Sequence, residues 1–117
     1  KNLIGAYKNL NRSSNVCVTE GTLDTIWLDQ HDFCSVALLG RNMSERQAEL
    51  LLNLRAQEIV LCLDNDEPGQ SGLEKIQRKL EDRCFISRIR IPSGYKDVQD
   101  IRDPKLLREV ILTRSVI

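Results

Sequence analysis

The stretch Glu-Ile-Val-Leu-Cys-Leu-Asp-Asn-Asp, at residues 58–66, decides the fold of this 117-residue chain. Residues 59–63 are apolar without alternating polar positions, which is typical of a parallel strand that is covered on both faces. An acidic turn follows, and apolar residues then recur at spacings of three and four, as on one face of a helix: Leu73, Ile76 and Leu80. The stretch therefore predicts a buried strand, an acidic turn and a covering helix.

Strand and helix alternate in the same way on both sides of this stretch. The predicted segments are strands at residues 16–19, 35–39, 58–63 and 85–91, and helices starting near residues 22, 44, 68 and 104. Ser44 and Gln47 have the form of a capping box at the start of the second helix, and the first helix is predicted to present Leu23, Ile26 and Trp27 on one apolar face. This order predicts an α/β fold, a compact Rossmann-like parallel four-stranded sheet flanked by helices.

Composition places the chain among ordinary globular domains. Apolar residues make up 41% and charged residues 29%, and 17 basic residues balance 17 acidic ones. The zero net charge excludes nucleic-acid binding by bulk charge alone, although it allows a locally basic surface. Apolar runs are only a few residues long, so we expect no membrane-spanning segment. The four cysteines include no Cys-x-x-Cys pair, which favours free thiols and a cytoplasmic location.

The chain is expected to be a single domain, residues 1–117, taken from a longer protein, because it begins without methionine or a signal sequence. Residues 1–15 are interpreted as a lead-in segment with an amphipathic helix over residues 3–10. Residues 16–102 form the predicted core, and residues 103–117 a C-terminal helix.

Acidic side chains follow three of the four predicted strands. Glu20 ends the first, with Asp24 one helical turn further on, Asp64 and Asp66 follow the third, and Asp97 follows the fourth. Because parallel strands end at one edge of a sheet, these carboxylates should converge there. Carboxylates brought together repel one another, and a divalent cation is the usual compensation. Oxygen ligands without histidine or thiolate favour Mg²⁺, with Mn²⁺ as a substitute.

Plainer interpretations of the same charges remain open. Acidic residues are common in turns and at helix starts, so Asp66 could simply cap the third helix. Arg41 and Lys96 lie near the predicted site and could bind phosphate, or could be exposed surface charges. Arg88 and Arg90 alternate along the last strand, which fits either a basic face for DNA or protection of a sheet edge.

These motifs carry a resemblance. Residues 16–24 (VCVTEGTLD) resemble the first motif of the Toprim domain, which primases, topoisomerases and some nucleases share. Residues 61–69 (LCLDNDEPG) are similar to its Asp-x-Asp motif in the form found in primases and primase-helicases. Residues 37–44 and 91–97 resemble the segments that follow the second and fourth strands. The match covers roughly residues 1–102 with order and spacing intact, so a Toprim fold is implied.

The resemblance also implies roles for the acidic residues. Glu20 would be a general acid or base, or a metal ligand, and Asp64 and Asp66 would bind Mg²⁺ and take part in catalysis. Asp24 and Asp97 would line the same metal pocket. One departure matters, since Gln99 stands where primases often carry a second carboxylate. Asp100 could replace it in part, but a second metal ion is in doubt.

The implied function is that of the catalytic domain of a DNA primase-like replication protein, making RNA primers from nucleoside triphosphates on a DNA template. Partners would include zinc-binding and helicase domains of the parent protein or replisome, and the isolated domain should be weakly active or inactive. The alternatives are a metal-dependent Toprim nuclease, a receiver-like signalling domain, and a catalytically inactive Toprim module used for docking.

Overall fold

The structure, a computed structural model, describes residues 4–5, 15–40 and 42–117. Its strands are β1 (Ile4–Gly5), β2 (Asn15–Thr19), β3 (Ser35–Ala37), β4 (Glu58–Leu61), β5 (Phe85–Arg88) and β6 (Ser115–Val116). Its helices are α1 (Thr22–Gln30), α2 (Glu45–Asn53), α3 (Glu67–Leu80) and α4 (Pro104–Leu112), with a 3₁₀ turn at Val98–Asp100. The predicted lead-in helix over residues 3–10 lies almost entirely outside the described residues.

The strands form one sheet in the order β1-β3-β2-β4-β5-β6. The four inner strands pair in parallel, which confirms the predicted α/β fold. β1 and β6 add antiparallel pairs at the two edges. Neither was predicted, because two residues are too few to show a hydrophobic pattern. The C-terminal helix predicted over residues 103–117 is shorter, since α4 ends at Leu112 and the chain then adds β6.

Helices cover both faces of the sheet, as its uninterrupted apolar strands require. Val16 and Val18 point into a core shared with the apolar sides of α2 and α3. Cys17 points the other way, into a second core shared with Leu28 of α1 and Leu107 of α4. Alternation along a single strand therefore fixes two apolar layers and leaves the strand ends as the place for polar chemistry.

Helix α1 is rotated from its predicted orientation. Leu23 and Ile26 are 63% and 47% exposed, so the prediction that they face the core is wrong. The buried residues of this helix are Asp24, Thr25 and Leu28. The hydroxyl of Thr25 lies 2.7 Å from that of Thr19 on β2 and 3.1 Å from that of Ser35 on β3. These buried polar contacts turn the polar side of α1 inward and direct Asp24 toward the end of the sheet.

Helix α2 begins with the predicted capping box. The Gln47 amide nitrogen of the backbone donates to Ser44 Oγ at 3.1 Å, and the Ser44 backbone donates to Gln47 Oε1 at 3.0 Å. The Gln47 side chain also donates from Nε2 to the carbonyl of Leu38 at 2.9 Å. One glutamine therefore caps α2 and anchors it to the segment that leaves β3.

All four cysteines are free thiols, as predicted, and Cys84 alone is only half-buried. Within residues 4–5, 15–40 and 42–117, no helix has the length and apolar character needed to cross a bilayer.

Candidate metal centre

Three carboxylates converge beyond the carboxyl ends of the parallel strands. One oxygen from each of Asp24, Asp64 and Asp97 lies within 4.8 Å of the corresponding oxygens of the other two. Asp24 comes from the first turn of α1, Asp64 follows β4, and Asp97 precedes the 3₁₀ turn after β5. The parallel topology thus brings together acids that are far apart in the chain.

Hydrogen bonds within two neighbouring loops hold the third of these carboxylates in place. Asp97 Oδ1 accepts from the Asp100 backbone at 3.0 Å, and Asp100 Oδ2 accepts from the Lys96 backbone at 2.9 Å. The Asn65 backbone donates to the Lys96 carbonyl at 2.7 Å, which joins this loop to the turn that carries Asp64. Asp100 therefore positions the loop, and it does not belong to the group of three converging carboxylates.

Asp24 is held in surroundings that oppose its ionisation. Its side chain belongs to a residue only 7% exposed, and burial raises the pKa of the carboxyl from 3.8 to about 7, with repulsion from Asp97 and Asp64 adding to the effect. Backbone hydrogen bonds from Gln99 and Gly21 oppose the rise. Among the described residues, Asp24 Oδ1 has no hydrogen-bond partner. The site thus contains a buried acceptor that a cation would satisfy.

Asp64 shares this environment. Burial raises the pKa of its carboxyl, the charges of Asp97 and Asp66 raise it further, and a hydrogen bond with Glu20 opposes the rise. Asp64 Oδ1 is buried and lacks a hydrogen-bond partner among the described residues. The clustered carboxyl groups therefore lie where a divalent cation would offset their negative charge.

The remaining predicted site residues have different positions. Glu20 lies at the same edge as Asp64, to which it is hydrogen-bonded, and the charge of Lys96 acts on the pKa of Asp64. Asp66 is near enough for its charge to raise the pKa of Asp64, and its carbonyl accepts the first hydrogen bond of α3, from Gln70 at 3.0 Å. It is not one of the three converging ligands. Arg41 lies outside the described residues.

The backbone that fixes Glu20 was not foreseen from the sequence. The amides of Leu39 and Gly40 both donate to the Glu20 carbonyl, at 2.9 and 3.3 Å. Leu39 adopts a left-handed conformation, φ 62°, which is unfavourable for a residue with a Cβ. The sequence gives one relevant signal, since Leu39 is followed by glycine at the end of a predicted strand. That signal indicates a turn but not which carbonyl the turn would bind.

Fold and site together define an α/β domain with a cluster of acids at the carboxyl end of a parallel sheet. A family model described as Toprim-like matches residues 17–102, well over half of the chain. The chain therefore belongs to the Toprim-like family, which confirms the resemblance drawn from its motifs.

Among curated proteins, the chain is similar to bacterial DNA primases. It is 34% identical over 97 residues to a DNA primase of Deinococcus radiodurans, covering 81% of this chain and 17% of that protein. It is 32% identical over 114 residues to a DNA primase of Mycoplasma genitalium, covering 94% of this chain and 19% of that protein. The chain thus spans less than a fifth of the length of these relatives.

Solved structures show the same fold. The zinc-binding and RNA polymerase domains of Aquifex aeolicus primase superpose with a TM-score of 0.81 at 21% identity, covering 98% of this chain and 30% of that one. A primase catalytic domain bound to single-stranded DNA gives a TM-score of 0.77 at 20% identity, covering 97% of this chain and 39% of that one.

Proposed function

We propose that this chain is the Mg²⁺-dependent catalytic domain of a DNA primase-like protein, which transfers nucleotides from nucleoside triphosphates to a growing RNA primer on a DNA template. The observation that supports it most is the convergence of Asp24, Asp64 and Asp97 within 4.8 Å. The similarity to primases supports nucleotidyl transfer as the reaction class, and the three carboxylates provide a candidate site for it.

The donor set fits a hard divalent cation. All three converging groups are carboxylates, and Mg²⁺ or Mn²⁺ prefers such oxygens to the nitrogen and sulfur ligands of zinc sites. Asp64 and Asp97 would hold the ion together with Asp24, with Asp66 adding negative charge beside them. When bound, a divalent cation offsets the charge that develops on the phosphates during transfer. Gln99 contributes no carboxylate and Asp100 is engaged with the Lys96 backbone, which favours one ion over two.

The remaining residues would manage protons and phosphates. Glu20 lies beside Asp64 and, in its ionised form, would accept the proton that a primer 3′-hydroxyl releases on attacking the α-phosphate of the incoming nucleotide and displacing pyrophosphate. Glu20 would serve instead as a metal ligand if it contacts the ion directly. Lys96 is close enough to act electrostatically on Asp64, which supports a role in binding a phosphate oxygen. The same role for Arg41 stays a prediction.

The wider setting is part of the same proposal. Primases act on nucleoside triphosphates and a DNA template, and we expect zinc-binding and helicase domains to accompany this domain in the parent protein or replisome. A cytoplasmic location also stays a prediction. We expect the isolated domain to be weakly active or inactive on its own.

The proposal is tested by titrating Mg²⁺ and Mn²⁺ into the wild-type chain and into Asp64→Asn, with binding followed by calorimetry and by the melting temperature. Wild type should bind the ion and melt at a higher temperature with it, whereas Asp64→Asn should bind at least tenfold more weakly. Asp82→Asn, which removes an exposed acid after α3, is the matched control and should behave like wild type. Equal binding by wild type and Asp64→Asn would refute the metal site.

An activity assay separates the proposed function from the alternatives. Labelled nucleoside triphosphates and a single-stranded template should give short RNA products that depend on Asp64. Metal-dependent nicking of DNA without nucleotides would indicate the nuclease instead. Metal binding with neither activity, in the chain joined to its neighbouring domains, would indicate the docking module.

A further inference from the structure

A second polar cleft lies beside the candidate metal centre, on the side of α3. It has a volume of about 300 Å³ and lies between the first turn of α3 and the segment that leaves β5. Arg88, Arg90, Gln70 and Asn65 supply its polar walls. Asn65 stands between Asp64 and Asp66 in the chain, so the cleft adjoins the acidic cluster without containing its three carboxylates.

Arg88 has an incomplete set of partners in this cleft. Its terminal nitrogen Nη2 donates to Gln70 Oε1 at 2.7 Å, while the buried Nε has no hydrogen-bond partner among the described residues. Burial lowers the pKa of the Arg88 guanidinium, and the charge of Arg90 lowers it further. Among the side chains that the structure describes, which do not include those of residues 67–69, no carboxylate forms an ion pair with either arginine. Two positively charged side chains thus line one cleft, and neither forms an ion pair with a side chain that the structure describes.

Protection of a sheet edge does not explain Arg88. β6 pairs with β5 in an antiparallel arrangement, and Arg88 is in register with Ser115. Arg88 therefore lies on a strand with neighbours on both sides, where no exposed edge needs a charged guard. Arg90 lies just beyond the strand and is exposed, on the same side of the chain as Arg88.

We propose that this cleft binds a phosphate group through the guanidinium groups of Arg88 and Arg90. The second N–H of the Asn65 side-chain amide, whose nitrogen also donates to the Tyr95 carbonyl at 3.4 Å, would add a further contact. Guanidinium groups match phosphate oxygens in charge and in the direction of their N–H bonds. The phosphate could belong to a free nucleotide or to a nucleic-acid strand, and the chemistry of binding is the same.

The inference goes beyond the proposed function, because the cleft contains its own charges and requires no metal ion. The decisive experiment therefore uses the whole chain in EDTA. Tripolyphosphate and a single-stranded DNA 12-mer are titrated separately, and binding is followed by backbone amide shifts and by fluorescence anisotropy of the labelled DNA. The shifts of Asn65, Gln70 and residues 88–91 report directly on the cleft.

Arg90→Gln and the double variant Arg88→Gln/Arg90→Gln should weaken binding of at least one probe, by about threefold and at least tenfold respectively. Arg83→Gln, which removes an exposed charge just before the opposite end of β5, is the matched control and should bind within twofold of wild type. Because the Arg90 side chain is exposed and lies beyond β5, its variant stays informative even if loss of the Arg88–Gln70 contact disturbs folding.

The two probes distinguish the source of the phosphate. A loss confined to tripolyphosphate indicates a free nucleotide, a loss confined to DNA indicates the strand backbone, and loss of both indicates a site that accepts either. Unchanged binding of both probes in the Arg90→Gln and double variants, or an equal loss in Arg83→Gln, would overturn the proposal. Asp64→Asn should keep anion binding while losing Mg²⁺, so failure of the metal site and failure of this cleft are separate results.

Discussion

Two carboxylates flank strand β4, Glu58 at its start and Asp64 beyond its end, and their surroundings have opposite effects on their pKa values. The Glu58 carboxylate accepts two hydrogen bonds from Arg114, from Nε to Oε2 at 2.5 Å and from Nη2 to Oε1 at 2.9 Å. It accepts a third from the Ser87 hydroxyl. The Arg114 hydrogen bonds hold the pKa of Glu58 below its usual value. Beyond its other end, Asp64 faces further carboxylates, and burial raises the pKa of that group.

The contrast distinguishes a carboxylate that stabilises the fold, Glu58, from one that belongs to the candidate site, Asp64. The Glu58 carboxylate joins β4, β5 and the segment between α4 and β6, and its charge is satisfied within the chain. In the candidate site, Asp24 and Asp64 each have a buried Oδ1 without a hydrogen-bond partner among the described residues. A folded protein tolerates such a cost where the missing partner is a ligand, so incomplete compensation is itself a mark of a binding site.

The largest expected effect is at the satisfied end. Arg114→Gln should lower the free energy of unfolding by about 2–3 kcal/mol at pH 7, because it leaves the Glu58 carboxylate, in a side chain only 20% exposed, without its cation. Chemical denaturation measures the loss. Arg46→Gln removes a pair whose side chains are 67% and 57% exposed and should change stability by less than about 0.5 kcal/mol. Equal costs for the two variants would contradict the contrast.

At the other end of β4, removing a charge should stabilise the chain. Without metal at pH 8, Asp24→Asn should raise the free energy of unfolding by about 2 kcal/mol, since it relieves a buried charge and its repulsion with Asp64 and Asp97. The same variant should lose most of the stabilisation that Mg²⁺ gives to wild type. Destabilisation by Asp24→Asn, with Mg²⁺ still bound normally, would show that Asp24 is an ordinary buried acid.

The two ends should also respond to pH with opposite signs. Folded Asp24 keeps its proton up to a pH of about 7, whereas the unfolded chain releases it near 3.8. The folded state binds more protons in between, so this group lowers stability as pH rises through that window. Glu58 does the reverse, because its pKa is lowered in the folded state. Its contribution is present above pH 4.5 and is lost as pH falls through the lowered value.

Unfolding curves measured from pH 4 to 8 test these signs. The stability difference between Asp24→Asn and wild type should grow from pH 4 to 7 and level off above about 8. The difference between wild type and Glu58→Gln should instead shrink toward the acidic end. A constant Asp24→Asn difference across the range would rule out the raised pKa.

The smallest expected effect concerns the outer side of α1. Leu23→Gln should change the free energy of unfolding by less than about 0.5 kcal/mol, because the side chain is 63% exposed. Thermal unfolding measures it. A loss of 2 kcal/mol or more would mean that Leu23 is packed and that α1 does not turn its polar side toward the site.

The parallel core was predictable because it depends on patterns within short segments. The apolar run at residues 59–63 and the Ser44–Gln47 capping box each determine an element locally. The orientation of α1 was not predictable, because it depends on contacts between hydroxyl groups of three different elements, those of Thr19, Thr25 and Ser35. A pattern of apolar spacing favoured Leu23 and Ile26, and buried polar contacts outweighed it.

The candidate site was predictable to a similar degree. Parallel topology indicated that Glu20, Asp24, Asp64, Asp66 and Asp97 would meet, and three of them, Asp24, Asp64 and Asp97, converge within 4.8 Å. The separate position of Asp66 and the positioning role of Asp100 depend on backbone hydrogen bonds, which leave no signature in residue type. The short strand β6 was also not predicted. Because β6 pairs with β5, Arg88 does not protect an exposed sheet edge, and it lines a cleft instead.

The wide spacing of the three converging acids along the chain has a mechanical consequence. Any ion that they share would act as a removable cross-link between the start of α1, the end of β4 and the loop before the 3₁₀ turn. Such a link restrains the long loops between those points and adds stability in proportion to its occupancy. Amide exchange over residues 96–100 should then slow as the ion binds, while exchange around Glu58 and Arg114 should change only as the whole domain does.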